Sequence, residues 1–241
     1  MKEHYHCNPD YIHHQSSKIT SIIREIVFGM EDGMVSTLGA VTGIAAATGS
    51  HFTVVLSGLV VVAVESISMG VGSYLSNKSE TDVEVRKLFE EKMELKDLPE
   101  EERKELEEIY IKDGWPPALA RTMATTASQN KKLFLNEMAY HELGIFPDGE
   151  DYPVKKGFAM FFSYVLGGAI PLVPYLLFGM RVGIITSIVI TLAGLFLLGV
   201  GTTRFTKRKW WRAGLEMLLL ATAAALVGYL VGQVVERLWL G

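Results

Sequence analysis

The sequence predicts an all-α integral membrane protein: five transmembrane helices, with a three-helix cytosolic insert between the second and the third, which the glutamate spacing below marks as a candidate metal-binding domain. Three observations predict it. Five stretches each hold about 20 or more largely apolar residues, the length a helix needs to cross a hydrocarbon core of ~30 Å. Charge is concentrated between the second and third of them: 19 of the 27 Asp and Glu residues, and 13 of the 23 Lys and Arg, fall between Asn77 and Lys156. The Lys and Arg of the remaining short loops crowd onto one side of the predicted membrane.

The first stretch covers residues 22–47 and is interrupted by Glu25, Glu31 and Asp32. It follows a polar leader with little positive charge and runs too long for a signal peptide, so it is expected to stay in the mature chain. The others cover 52–75, 158–178, 182–203 and 213–238, the last bounded by Trp210, Trp211 and Trp239 as interfacial anchors. The predicted organisation is a leader at 1–20, two spans in 21–76, the insert at 77–156 and three spans in 157–241.

Loop charge sets the orientation. The turn at 48–51 has no Lys or Arg and the turn between the third and fourth spans has only Arg181, whereas the next loop has Arg204, Lys207, Arg208, Lys209 and Arg212. The positive-inside rule therefore puts the N-terminus and the insert in the cytosol and the C-terminus opposite, and Lys155 and Lys156 agree. A net charge of −4 without a basic stripe argues against a nucleic-acid partner. Cys7 is the only cysteine, so no disulfide forms within one chain.

Within the insert, the sequence runs from Asn77 to Leu95 without Gly or Pro, which predicts one long helix continuing out of the second span. Pro99 stops it. Asp97 is placed to cap a second helix that tolerates Pro99 in its first turn and ends at Gly114. Trp115, Pro116 and Pro117 break the chain, and a third helix over 118–143 closes at Gly144 with Pro147 beyond.

Residues three or four apart share a helix face. Glu91 with Glu94, Glu102 with Glu105, and Met138 with Glu142 are such pairs, one on each helix, and three folded helices could gather them at one point. Carboxylates suit hard divalent cations and a thioether softens the site towards later transition metals. Acidic helices are more often solvated surface laced with Lys and Arg; Glu90, Glu100, Glu101, Glu107 and Glu108 are read that way.

A carboxylate at the bilayer centre costs about 2.5 to 3.5 kcal/mol on insertion scales, so such groups are candidates for a transport path. Asp32 lies near the middle of the first span between Gly29 and Gly33, where backbone could approach closely or the helix could loosen. In the second span Glu65 and Met69 share a face, followed by Gly70 and Gly72. The alternative is a pair of protonated, hydrogen-bonded carboxyls, with Met69 as core packing. Burial raises a carboxylate's pKa and a cation lowers it, so protons and metal compete. Metal/proton antiport is the expected mechanism: metal loads at Asp32 from the cytosol, and a returning proton releases it.

Asp32-Gly33, Ser68-Met69-Gly70, the acidic insert and the run from Gly168 to Tyr175 (GAIPLVPY) occur in an order that resembles the vacuolar iron transporter family, from about Ser21 to the C-terminus. The resemblance implies a homodimer of five-helix subunits with the path between them, exchanging Fe2+ for protons, some members accepting Mn2+. It implies path residues at Asp32 and Met69 and insert ligands at Glu91, Glu94, Glu102, Glu105, Met138 and Glu142. Glu65 is proposed on physical grounds alone. One departure is that the family pattern has two adjacent methionines where Met138 is followed by Ala139, which leaves one soft ligand fewer and puts metal preference in doubt.

No permanently bound cofactor is expected; Fe2+ is the substrate, and Mn2+, Co2+, Ni2+ or Zn2+ could bind the insert. The leader's His4, His6, Cys7, His13 and His14 match no zinc spacing and are read as a neutral tail, and His141 as a surface residue. A di-iron ferroxidase would need Glu-x-x-His pairs on bundle helices, and the only such spacing, Glu3 to His6, lies in the leader. The protein is therefore not read as an enzyme. A membrane metal sensor would not need Asp32 and Met69. The expected location is a prokaryotic plasma membrane, with a vacuolar membrane as the alternative.

Overall fold

The computed structural model describes residues 18–145 and 152–239; the leader's histidine cluster and Pro147 lie outside them. All regular structure among the described residues is helical: α1 Lys18–Thr48, α2 His51–Asp97, α3 Pro99–Lys112, α4 Pro117–Ser128, α5 Lys131–His141, α6 Pro153–Leu177, α7 Met180–Thr206 and α8 Trp210–Trp239. Two compact units result, one of residues 1–70 with 158–241, the other of residues 71–157.

In the first unit, the apolar part of α2, together with α6 and α7, is long and apolar enough to cross a membrane. α1 packs on α7 and α8, and α7 on α8. Large apolar side chains such as Leu56, Val60, Val64 and Ile67 stay exposed along α2, an area too extensive for a water-facing surface of a soluble monomer. Buried apolar contacts join α1, α2 and α6 through Val41, Val54, Leu172 and Tyr175, and α1, α7 and α8 through Met34, Leu195 and Ala221.

The α1–α6 crossing depends on small residues. A Cβ added at Gly33 would sit 2.5 Å from the Tyr164 carbonyl oxygen and 2.8 Å from the Gly168 nitrogen, and one at Gly167 would collide with the Met30 carbonyl. Of the two possibilities for Gly29 and Gly33, close backbone approach is the one found: α1 runs unbroken through both, as small residues allow in membrane helix pairs.

In the second unit, α2 continues without a break to Asp97. At ~1.5 Å per residue this 47-residue helix is ~70 Å long, over twice a ~30 Å hydrocarbon core. Two expectations need correction. Asp97 does not cap α3: it is the last residue of α2, and Leu98 occupies the N-cap with no side-chain bond, Pro99 lying at the helix start. The helix expected over 118–143 is two helices, because the Asn130 side chain accepts the N–H groups of Lys132 and Leu133 at 3.0 and 3.2 Å and starts α5 afresh. The insert is thus the α2 extension plus three short helices, packed around Leu106, Tyr110, Ala120, Ala124, Phe134 and Met138. Past α5, Gly144 takes a left-handed φ of 66° and Ile145 N–H reaches back to the Ala139 carbonyl at 2.8 Å, so the chain turns at the glycine as expected.

Candidate metal centre and transport path

Three of the predicted ligands meet, one from each of three elements. Glu91 on the α2 extension, Glu102 in the first turn of α3 and Glu142 at the end of α5 each bring a carboxylate oxygen within 4.8 Å of the others. Glu91 is 2% and Glu102 7% exposed, and Glu142 opens to solvent. Glu91 and Glu142 share a hydrogen bond, while Glu91 Oε1 is buried with no partner among the described residues. Glu94 and Glu105, one turn further along their helices, are exposed but within electrostatic reach of Glu102 and Glu142.

Burial first, then the charges of Glu142, Glu102 and Glu94, push the Glu91 carboxyl up to about 8. Burial and then Glu105 and Glu94 raise Glu102 to about 7. Glu142 is also raised, by burial and Glu105, against the lowering effect of its bond from Glu91. Two ionised carboxylates at such separations repel by about 3 kcal/mol at an effective dielectric of 20. Among the described residues the insert's Arg side chains go elsewhere: Arg86 to Glu90, Arg103 to Glu100 and Glu107, Arg121 to Glu107. Those are three of the glutamates read as solvated surface. Among the described residues the converging set has no such neutralisation, and a divalent cation would supply it while using the unpartnered Glu91 oxygen.

Met138 is placed differently. It is fully buried against Leu106, Tyr110 and Phe134, one turn before Glu142, whose N–H its carbonyl accepts at 2.8 Å. Sequence reasoning missed the support of this helix end. Tyr110 donates to Glu137 Oε2 at 2.8 Å, and the half-buried His141 ring lies between Asp113 at 3.0 Å and Glu137 at 3.5 Å, tying the end of α3 to that of α5. His141 is therefore a bridge and not a plain surface residue. The i, i+4 spacing of Glu137 and His141 is the signal that marks it.

In the membrane unit, Asp32 is half-buried on α1 and close enough to Glu65 of α2 for their charges to interact. One turn after Asp32, Ser36 Oγ donates to the Asp32 carbonyl and shares a second 2.6 Å bond with the hydroxyl of the fully buried Tyr164 on α6. Tyr164 is within electrostatic reach of both carboxylates. Glu65 faces out of the single chain, and Met69, a turn later, is half-buried. Neither Ser36 nor Tyr164 stands out in the sequence, since a serine and a tyrosine in an apolar helix carry no spacing signal.

The sequence profile of the VIT family matches residues 23–233, nearly the whole chain. The chain belongs to the VIT family. Its similarity to a vacuolar iron transporter 1 of Arabidopsis thaliana is 32% identity over 93% of this chain and 91% of the relative. It is 30% identical to vacuolar iron transporters of Plasmodium falciparum, over 89% and 82% of the two chains, and of Toxoplasma gondii, over 94% and 78%. VIT proteins are transporters, not enzymes, so the ferroxidase alternative falls. The sequence-based resemblance holds for this VIT chain along its length.

Proposed function

We propose that this VIT chain exports Fe2+ from the cytosol in exchange for protons, using the insert to collect metal and the Asp32 region to pass it. The observation that carries the cargo is the convergence of Glu91, Glu102 and Glu142 with a buried, unpartnered oxygen and no Arg or Lys paired with them among the described residues. The names of the relatives supply iron as the metal. Oxygen ligands alone accept Mn2+, Co2+, Ni2+ or Zn2+ as well, and availability selects among them.

Five spans complete the reading, α1 and α8 joining α2, α6 and α7, with the N-terminus and insert on the cytosolic side by the loop charges. Glu65 supports a homodimer. A carboxylate turned out from an apolar helix towards lipid is costly, and a second copy across the α2 face would place two Asp32–Glu65 groups along one path. The vacuolar names of the relatives favour a vacuolar-type membrane over the prokaryotic plasma membrane.

Proton coupling follows from competition for the same oxygens. Glu91 and Glu102 hold protons near neutral pH that an incoming cation displaces. The test is Fe2+ uptake by proteoliposomes containing the purified chain, with and without an imposed pH gradient. Uptake that rises with the gradient and falls when an ionophore collapses it supports antiport; uptake indifferent to the gradient rules coupling out.

A further inference from the structure

The turn joining α7 to α8 combines three features that metal transport does not use. Arg204, Lys207, Arg208, Lys209 and Arg212 lie within nine positions and are all exposed. Only Arg208 is matched by an acid among the described residues, Glu216 at 2.8 Å. Interleaved with these cations, Phe205, Trp210 and Trp211 are 60%, 58% and 44% exposed, with Arg212 over the Trp211 ring. Lys207 has a φ of 54°, and it is the one non-glycine residue with positive φ among the described residues.

The third feature separates this turn from a plain topology signal. Lys207 ends α7 in the left-handed conformation, its N–H bonded to the Thr203 carbonyl at 2.9 Å. Glycine adopts that conformation without a steric penalty and is the usual residue there. The chain accepts the strain and keeps an ammonium at the tip of the turn. Loop orientation requires only a count of Lys and Arg; it does not require one of them in a strained position, nor three exposed aromatic rings beside them. Cations that reach phosphate oxygens, beside rings that favour the boundary of headgroups and acyl chains, match one kind of ligand.

We infer that the α7–α8 turn is a binding site for an anionic phospholipid headgroup, with Lys207, Lys209 and Arg212 on the phosphate and the aromatic rings in the interfacial layer. The inference rests on reading α7 and α8 as membrane helices, and it is independent of the metal carried.

The test is thermal unfolding of the full chain in a neutral detergent, without metal, with added phosphatidylglycerol, phosphatidylcholine or inorganic phosphate. Phosphatidylglycerol is expected to raise the midpoint by several degrees more than phosphatidylcholine, the excess shrinking between low and high salt, and inorganic phosphate to leave it unmoved. Lys207→Gly with Lys209→Gln should start from an undiminished midpoint, because the glycine relieves the turn, yet lose at least half of the phosphatidylglycerol excess. Lys209→Gln with Arg212→Gln, which leaves the backbone of the turn alone, should lose a similar share. Equal shifts from the two lipids, a full phosphatidylglycerol excess in both variants, or a shift reproduced by phosphate alone would overturn the inference. Because no iron is present, a chain that failed to transport could still pass this test, and the reverse.

Discussion

The insert and the membrane unit both hold clustered carboxylates, but they solve the problem of like charge differently. In the insert, three helix segments drive Glu91, Glu102 and Glu142 together inside one chain, with Glu94 and Glu105 nearby. In the membrane unit, Asp32 is half-buried beside the Ser36–Tyr164 pair while Glu65 points away from its own chain. The first group is a closed set, its three carboxylates drawn from one chain and close enough together to hold a cation. The second is an open set, its outward half exposed on the single chain; on the proposed reading a second copy covers it. On the proposed reading, the insert therefore collects metal and the membrane unit passes it.

The sharpest way to break this contrast is to neutralise the insert alone. Glu91→Gln with Glu102→Gln should lower Fe2+ affinity by on the order of 100-fold, at or above the ~10–100-fold that loss of an outer-shell partner costs, while flux at saturating metal falls only several-fold. Titration calorimetry and liposome uptake on one preparation measure both.

Next in size is the pH dependence. With Glu91 at about 8 and Glu102 at about 7, protons compete with metal near neutrality. Apparent affinity should rise on the order of tenfold per pH unit from 6 to 8, with proton release on binding. The stability of the metal-free insert runs the other way. Both folded values lie above the ordinary 4.5, so the contribution is fully present below pH ~4.5 and is lost as pH rises through 7 and 8. Denaturation of the metal-free chain at pH 6 and pH 8.5 checks the sign, and added Fe2+ should restore the difference.

Glu65→Gln probes the open set. It should slow flux several-fold and leave insert binding at the parental value, since Asp32 remains. The glycines bear on stability and not on flux. Gly33→Ala forces a methyl group against the Tyr164 backbone and should cost roughly 3 kcal/mol, the upper part of the overpacking range. Gly39→Ala meets nothing within 4 Å and should stay within about 0.5 kcal/mol of the parent.

Much of this is legible in the sequence because it is local. Apolar length marks the apolar part of α2, α6 and α7, and an i, i+3 or i, i+4 interval puts each glutamate pair on one face. What escapes is also local but weaker. Asn130 in a polar run reads as helix interior, yet its side chain takes two amides and starts a new helix; Asp97 reads as a cap, yet α2 absorbs it. Which glutamates converge depends on tertiary contacts, because Glu100 and Glu102 differ little in sequence while Arg103 pairs with the first and the second turns inward. Tyr164 is hidden for the same reason: only the close α1–α6 crossing brings its hydroxyl to Ser36.

On the proposed reading passage depends on Asp32, while the insert supplies the metal. The direct measurement is Fe2+ moved into proteoliposomes, and Fe2+ bound at equilibrium, for the parent, Asp32→Ala, and Glu102→Ala with Glu105→Ala. Asp32→Ala is expected to bind Fe2+ as the parent does and move none, while the double variant binds weakly and still moves it at a reduced rate. Parental flux through Asp32→Ala, or binding without flux in the parent under any gradient, would contradict it.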